Sequence, residues 1–582
     1  LHDVDSRPVS ISQEHILYMP RPAEFSARTR QRSLEALAAD KLDLLIIGGG
    51  ITGAGIARDA TLRGLRVGLL ERRDFACGTS SRSSKLIHGG LRYLPQGDVA
   101  LVMEAANERR AVRKIGPHLT RPQQMLVPVH SRSGYLTINA GLFTYDRMAR
   151  VHKEERNRML GREETLALEP LLRPERIHGA GLYFEYLTDD ARLVIDTLKA
   201  AAALGALIVN RTAVTSFLHE GEKIKGVVAR DETSGADLSI EARVIVNAAG
   251  PWVDAVRQLE DYGEKQRLHL TKGIHLILPR ERLDLSRCVV MNAADKRSVF
   301  AIPRGDVVYL GTTDTDYQGR FDDPPITAED AEYLLAAANA TFAVEPLTFD
   351  DVAGAWAGLR PLLHQEGKKP SEISRKDEVI LSSRGLISIA GGKLTTFRKM
   401  AERITDMVVE RLTSEGAQLP DKRGDSESHP LSGGDIDGNI TAYITHMKQR
   451  WPRVPADVVE RLIAMYGSNG ERMVEAMAND PKLGERCAPS SAVTYSEVAY
   501  AVREEMALSL EDFLERRARV FLWDRANGLD IAPAVARLMG GLLGWDAPRI
   551  DAEIQAYRQH VSEVKTFLPG DVPDSPPRAA YA

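Results

Sequence analysis

Residues 42–71 read LDLLIIGGGITGAGIARDATLRGLRVGLLE. The opening run, LDLLII (42–47), is short and apolar, as expected of a parallel strand buried on both faces. A glycine cluster follows, then a helix-like stretch AGIARDATLRG (54–64), then a second strand, RVGLLE (66–71). The spacing predicts a βαβ unit. Within it Gly48, Gly50 and Gly53 fit G-x-G-x-x-G, and Glu71 closes the second strand 18 residues past Gly53. Each position has a physical task. Gly48 permits the tight turn, Gly50 lets backbone approach a pyrophosphate, and Gly53 lets the helix pack on the sheet. The helix N-terminus supplies open N–H groups and a positive dipole end, and Glu71 is suited to accept from ribose hydroxyls. One glycine pattern is a weak signal. Strand, helix, second strand and acid together predict dinucleotide binding.

The fingerprint alone does not separate NAD from FAD. The next segment, RRDFACGTSSRSSKLIHGGLRYL (72–94), is dense in Gly, Ser and Thr and carries His88, Arg92 and Tyr93. Long loops inside a compact domain are uncommon unless functional, and this one is long enough to drape over a flavin-sized ligand.

Further strands are expected at ALIVN (206–210), KGVVAR (225–230), RVIVNAAG (243–250), HLILP (275–279), VVYLGTT (307–313) and LISIAGG (386–392). Residues 41–413 therefore read as a mixed α/β and α+β catalytic body. A polar, glycine-rich linker is expected over 414–438 and an all-helical domain over 439–567. There Val458, Val459, Leu462, Ile463 and Tyr466 fall on one helix face, and Thr494 and Glu497 have capping-box spacing. The tail, 568–582, is proline-rich and read as loose. In the N-terminal extension, 1–40, four arginines (21, 28, 30 and 32) surround a short helix bearing Phe25, Leu34 and Leu37, read as packed on the first domain.

The composition excludes several classes. The 582 residues are 43% apolar and 27% charged, which argues against disorder and coiled coil, and a net charge of −5 gives no basic field for nucleic acid. Three scattered cysteines (Cys77, Cys288, Cys487) make neither a disulfide framework nor a metal site, and a reducing, cytoplasmic setting is expected. The longest uncharged stretch, Leu44 to Ala57, has 14 residues with five glycines, too short to span a bilayer.

Against this background the sequence resembles the FAD-dependent glycerol-3-phosphate dehydrogenases. The resemblance rests on residues 43–94, GLFTYDRMA (141–149), YLTDDARLV (186–194), NAAGPWVD (247–254), TKGIHLILP (271–279), GTTDTDY (311–317), AGLRPL (357–362) and GGKLTTFRKMAE (391–402). It extends to YGSN (466–469) and TYSEVAYAVREEM (494–506). It implies a Rossmann-like FAD domain of the glutathione-reductase and D-amino-acid-oxidase type, a substrate domain with an antiparallel sheet, and a helical cap. It also implies oxidation of sn-glycerol 3-phosphate to dihydroxyacetone phosphate, with hydride passing from C2 to flavin N5. Electrons would leave to a membrane quinone, from an enzyme peripheral on the inner face of the membrane and often dimeric.

The site residues implied follow the same motifs. Cofactor contacts are expected from Gly48, Gly50, Ile51, Thr52, Gly53, Glu71 and Arg72. More are expected from Thr79, Ser80, Ser84, Lys85, Leu86, His88, Gly89 and Gly90, and from Ala248, Gly250, Gly392, Lys393, Leu394 and Thr395. A small phosphate dianion needs cations, with guanidinium forks preferred, and Arg92, Arg360, Arg375 and Lys393 supply them beside Tyr93 and Asp314. Arg360, His88 and Lys393 are the candidates for catalysis. Imidazole as a group titrates near neutrality, which favours His88 as a candidate base, whereas an Arg base is chemically awkward. The helix following GGK would set its dipole end against the flavin pyrimidine. Cys77 reads as a small filler near the cofactor. Asp314 either orients a substrate hydroxyl or stabilises its turn. A basic stretch, ARVHKEERNR (149–158), is a candidate for anionic headgroups, although a solvated helix face explains it as well. No metal is expected. Three other readings stay open: an oxidase that reduces oxygen to peroxide, an amine oxidase of the same fold, and a flavoprotein without catalytic activity.

Overall fold

In the computed structural model, the described residues are 25–89, 99–149, 155–363, 377–420, 424–437 and 439–568. The run Leu42–Ile47 is a strand, parallel to Val67–Leu70 on one side and to Asp237–Asn247 on the other. Leu44 and Ile46 face one apolar layer, Leu45 and Ile47 the opposite one, as the two-residue strand period requires. Among the described residues this first sheet has eight strands. The order of its main path is Glu378–Leu381, Ile387–Ala390, Asp237–Asn247, Leu42–Ile47, Val67–Leu70, Leu207–Val209. Helices Ile51–Leu62, Asp190–Ala203 and Phe397–Ser414 cover one face. A hairpin, Thr212–Glu220 with Lys223–Asp231, and helix Arg30–Ala39 cover the other. That helix is anchored by the buried Arg30–Asp231 pair at 2.6 Å, and Leu34 and Leu37 are buried beneath it.

The second sheet runs Thr315–Asp316, Leu268–Pro279, Val307–Gly311, Ser298–Arg304, Cys288–Asn292, Thr120–Val129, Gly179–Thr188, Leu86–Ile87. Gly354–Leu363 pairs onto Leu268–Pro279, and Arg158–Gly161 onto Gly179–Thr188. The sheet is not wholly antiparallel, as the resemblance implied. Cys288–Asn292 lies parallel to Thr120–Val129, because chain far removed in sequence is inserted beside it.

The C-terminal region is helical. Its Tyr495–Glu504 helix opens on the expected capping box of Thr494 and Glu497. It shares one apolar core with the second sheet, in which Trp523 meets Trp356 edge to face at 6.1 Å. The segment read as a polar linker, 414–438, packs against the FAD-binding body in its described part. Ser426 and Leu431 are buried, and the Arg58 guanidinium donates to the carbonyls of Ser426 (3.1 Å) and His429. A buried guanidinium needs acceptors, and this segment's backbone supplies them. Among the described residues no helix is long and apolar enough to cross a membrane.

Candidate functional site

The two sheets meet around a connected cavity of about 2210 Å³, well above the roughly 300–1,000 Å³ of a drug-sized ligand site. One end is the glycine turn. Gly48 has φ +113°, and a Cβ there would lie 2.7 Å from the Ala248 carbonyl oxygen. Gly53 sits under the turn, where a Cβ would come within 2.0 Å of the Gly48 carbonyl oxygen. Gly53 therefore shapes the cradle without lining it, whereas Gly48, Gly50, Ile51 and Thr52 line it. Ser80 also lines the cavity, and its hydroxyl accepts from the Ile51 N–H at 3.0 Å.

Glu71 lines the cavity but is already engaged. Its carboxylate accepts from the Gly49 N–H at 2.7 Å and the Arg73 N–H at 2.8 Å, so it braces the turn as well as lining the cavity where a ribose was expected. Burial raises its pKa, and those two N–H groups pull it back. Beside it Arg72 lies over the Trp252 ring at 5.5 Å. Thr79, Leu86, Ala248 and Gly250 complete this polar arm. Burial pushes the Cys77 thiol up, which agrees with a filler.

Two of the sequence-predicted cations, Arg360 and Lys393, share the cavity with the predicted imidazole, His88. Arg360, Gly392, Lys393, Leu394, Thr395, Ser84 and His88 all line the cavity. After strand Ile387–Ala390, Gly391 and Gly392 take positive φ (78° and 85°), and the chain turns into Leu394–Thr396 and helix Phe397–Ser414. The Thr395 hydroxyl accepts from the His88 N–H at 3.1 Å and donates to the His88 carbonyl at 3.2 Å, joining GGKLTT to the IHGG turn.

Three expected contacts, at Lys85, Asp314 and Gly89, do not line the cavity. The Lys85 ammonium is fully buried and pairs with Asp190 at 2.9 Å instead of facing the cavity. Burial lowers its pKa to about 7. Asp314 sits behind Arg360, accepting from Nη1 at 3.0 Å, while Nη2 donates to the Thr312 hydroxyl and the Thr313 carbonyl, each at 3.0 Å. It fixes the guanidinium plane and does not line the cavity. The Gly89 N–H donates to the buried Glu185 carboxylate (3.1 and 3.2 Å), which also pairs with Arg109 at 2.9 Å. Gly90, Arg92, Tyr93 and Arg375 lie outside the described residues, as do residues 150–154 of the basic stretch.

One site residue carried no sequence assignment. His275 lines the cavity, shares a 2.8 Å hydrogen bond between Nε2 and the Ser84 hydroxyl, and stacks on Trp356 at 4.5 Å and 10°. Burial, with Lys85 and Arg360 nearby, holds its pKa well below the usual histidine range, so the ring is neutral. Its placement inside TKGIHLILP was the available signal.

Residues 43–398 match the family model described as FAD dependent oxidoreductase, and residues 425–550 match that of the C-terminal domain of alpha-glycerophosphate oxidase. Aerobic glycerol-3-phosphate dehydrogenases of Staphylococcus aureus strains USA300 and MRSA252 are 41% and 40% identical over 544 residues, 92% of this chain and 97% of theirs. The X-ray structure of a glycerol-3-phosphate dehydrogenase from Bacillus halodurans, complexed with FAD, is similar at a TM-score of 0.79 and 36% identity, covering 94% of this chain and 99% of that one. An L-alpha-glycerophosphate oxidase from Mycoplasma pneumoniae shares the fold at a TM-score of 0.52 and 19% identity, covering 66% of this chain and 98% of its own.

Proposed function

Because this chain belongs to the FAD-dependent oxidoreductases and, within them, to the family of the aerobic glycerol-3-phosphate dehydrogenases, we propose that it oxidises sn-glycerol 3-phosphate to dihydroxyacetone phosphate and passes the electrons to a membrane quinone. FAD is its cofactor. The glycine cradle fits that group: Gly48 has a positive φ, Gly53 has no room for a Cβ, and the cavity, at about 2210 Å³, is large enough for an extended dinucleotide. When bound, FAD supplies a two-electron acceptor for hydride from C2.

The chain's own residues do the rest. Arg360, its plane set by Asp314 and Thr312, grips the phosphate or the developing alkoxide. Lys393 adds a second positive charge at the turn where Leu394–Thr396 opens the following helix. The hydroxyl proton passes to an imidazole, His88 or His275, and the second is held in the neutral, accepting form. The observation that carries the reading is that Arg360, Lys393, His88 and His275 share one cavity with the dinucleotide cradle. Peripheral attachment to the anionic inner face of the membrane and pairing into homodimers belong to the same proposal.

The acceptor has a second reading, oxygen, suggested by the oxidase name of the family model over residues 425–550. Turnover of the substrate in air, with peroxide and with a short-chain quinone each assayed, separates them. Quinone-dependent turnover with little peroxide is expected. Stoichiometric peroxide, undiminished by quinone, would make the enzyme an oxidase.

A further inference from the structure

A segment rooted in the second sheet reaches across to the cradle in the first. Residues 317–325 follow the short strand Thr315–Asp316 and precede helix Ala328–Thr341. Both ends of the segment are tied to strand Leu268–Pro279. The Tyr317 N–H donates to the Leu270 carbonyl at 3.0 Å, and the Lys272 ammonium donates to the Pro325 carbonyl at 2.9 Å. Between these ties Asp322 pairs with Arg72 (2.6 Å) and Arg73 (3.4 Å), and Asp323 pairs with Arg73 and Arg82, each at 3.4 Å. Arg72 and Asp322 are 250 residues apart in the chain. Beside them the Phe321 ring meets the Trp252 ring at 6.3 Å and 62°, and Trp252 stands just past strand Asp237–Asn247 of the first sheet.

The local sequence, RFDDPP (320–325), suits this reach. Two prolines fix φ behind the two acids and limit the conformations the segment can sample. At Asp323 the backbone is left-handed (φ +54°), a region Asp tolerates better than most residues, and the consecutive carboxylates address different guanidinium groups. The Tyr317 hydroxyl donates to the Arg320 carbonyl at 2.8 Å and holds the approach to the turn. An isolated exposed ion pair is worth little. Here two carboxylates and three guanidinium groups form one network, and Glu515 of the helical region extends it by pairing with Arg82 at 2.9 Å. Arg72 and Arg73 directly follow Glu71, and Arg72, Arg82, Trp252, Asp322 and Asp323 all line the cavity. The signs are the reverse of what direct contact with a pyrophosphate calls for, since a carboxylate beside a dianion repels it. Their partners give the two acids a different task, that of tying the second sheet to the cofactor loop.

We infer that residues 317–325 are a clasp that retains FAD: Asp322 and Asp323, locked onto Arg72, Arg73 and Arg82, and Phe321, set against Trp252, close the side of the cradle by which the cofactor leaves. Release of FAD then requires these ion pairs to open. The inference concerns the cofactor alone and is independent of the proposed substrate and acceptor. It also fixes the sign of a charge change. If the acids were only neighbours of the pyrophosphate, neutralising them would tighten FAD binding. If they latch the clasp, neutralising them loosens it.

FAD release from the loaded protein tests this without any turnover. The holoprotein is incubated with a phosphodiesterase that splits released FAD into the more fluorescent FMN, so that the rise in fluorescence follows release. The double variant Asp322→Asn/Asp323→Asn and, separately, Phe321→Ala are each expected to release FAD about tenfold faster than the unaltered protein. Release unchanged or slower in both would overturn the clasp. Asp322→Glu/Asp323→Glu keeps the charges and is expected to hold release within about threefold of the unaltered protein. Release as fast as that of the asparagine variant would show that charge does not latch the segment, and would also overturn it. A second readout does not involve the flavin. Arg320 is exposed, and trypsin cuts after arginine once the surrounding segment opens locally. Cleavage at Arg320 should be faster in the asparagine variant than in the unaltered holoprotein, and equal rates would contradict the latch.

Discussion

The Thr395 hydroxyl both accepts from and donates to the backbone of His88, at 3.1 and 3.2 Å, although 307 residues separate them. This pair of hydrogen bonds is the seam between the two motifs that bring an imidazole and a lysine to the cavity. Thr395→Val keeps the volume and removes both bonds, leaving a half-buried N–H and a carbonyl to find other partners, at about 1–3 kcal/mol. The variant is expected to fold and bind FAD, with kcat/KM for the substrate reduced about tenfold or more. Steady-state kinetics at matched flavin content checks this, and an unchanged kcat/KM would show that the seam is not needed.

Arg360→Ala should leave the flavin bound and impair turnover by about a hundredfold or more, since a charge-assisted fork is lost at the reacting centre. Asp314→Asn should act in the same direction but more weakly, because Asp314 touches the guanidinium and not the cavity. Flavin absorbance and kcat/KM measured together distinguish these outcomes from loss of the cofactor. A colourless Arg360→Ala protein would mean the residue belongs to the FAD cradle.

Asp190 joins two domains. It takes hydrogen bonds from the Lys85 ammonium (2.9 Å), the Ser83 hydroxyl (2.7 Å) and Arg519 of the helical region (3.1 Å). Asp190→Ala strands the buried Lys85 ammonium and leaves Arg519 with Asp189 (2.9 Å) as its remaining carboxylate, and is expected to cost about 3–5 kcal/mol. Lys85→Met leaves Asp190 paired with Arg519 and should cost less. Denaturant unfolding of both variants gives the comparison, and equal or reversed costs would refute the node.

Acid should loosen the helical region from the FAD domain. Asp74 is bonded to Arg516 (2.5 Å) and Arg517 (2.9 Å), and those guanidinium groups hold its pKa at about 2, against 3.8 ordinarily. Asp189, beside Arg519, is likewise held at about 2, and Glu505, paired with Arg192, falls from 4.5 to about 2. A depressed carboxyl pKa adds stability above the unfolded value and loses it as pH falls toward the folded one. Stability should therefore decline between about pH 4.5 and 2, by on the order of 2 kcal/mol for each such carboxyl. Thermal unfolding across that range, with Asp74→Asn showing a shallower decline, is the check.

The cradle was legible because its constraints are local. A glycine at φ +113° and another without room for a Cβ leave their spacing in the chain itself. Helix starts were legible for the same reason, as the Thr494–Glu497 capping box illustrates. What stayed hidden depends on partners far along the sequence. Lys85 reads as a cation in a cofactor loop, yet its carboxylate stands 105 residues on, at Asp190. Asp314 reads as a cavity residue until the pairing of strands places Arg360 in front of it. His275 reads as one polar residue in an apolar strand, and its place beside Ser84 and Trp356 follows only from register. The linker's composition marks it as polar, while its contacts to Arg58 are made by backbone carbonyls that composition does not reveal.

The central claim is that one cavity holds FAD against a grip for a three-carbon phosphate ester. Its most direct test is anaerobic mixing of the FAD-loaded protein with glycerol 3-phosphate and, separately, with glycerol, following the visible flavin band. Rapid bleaching by the phosphate ester, and bleaching at least about a hundredfold slower by glycerol at the same concentration, is the predicted result. Equal rates with the two alcohols, or no bleaching by either, would contradict it.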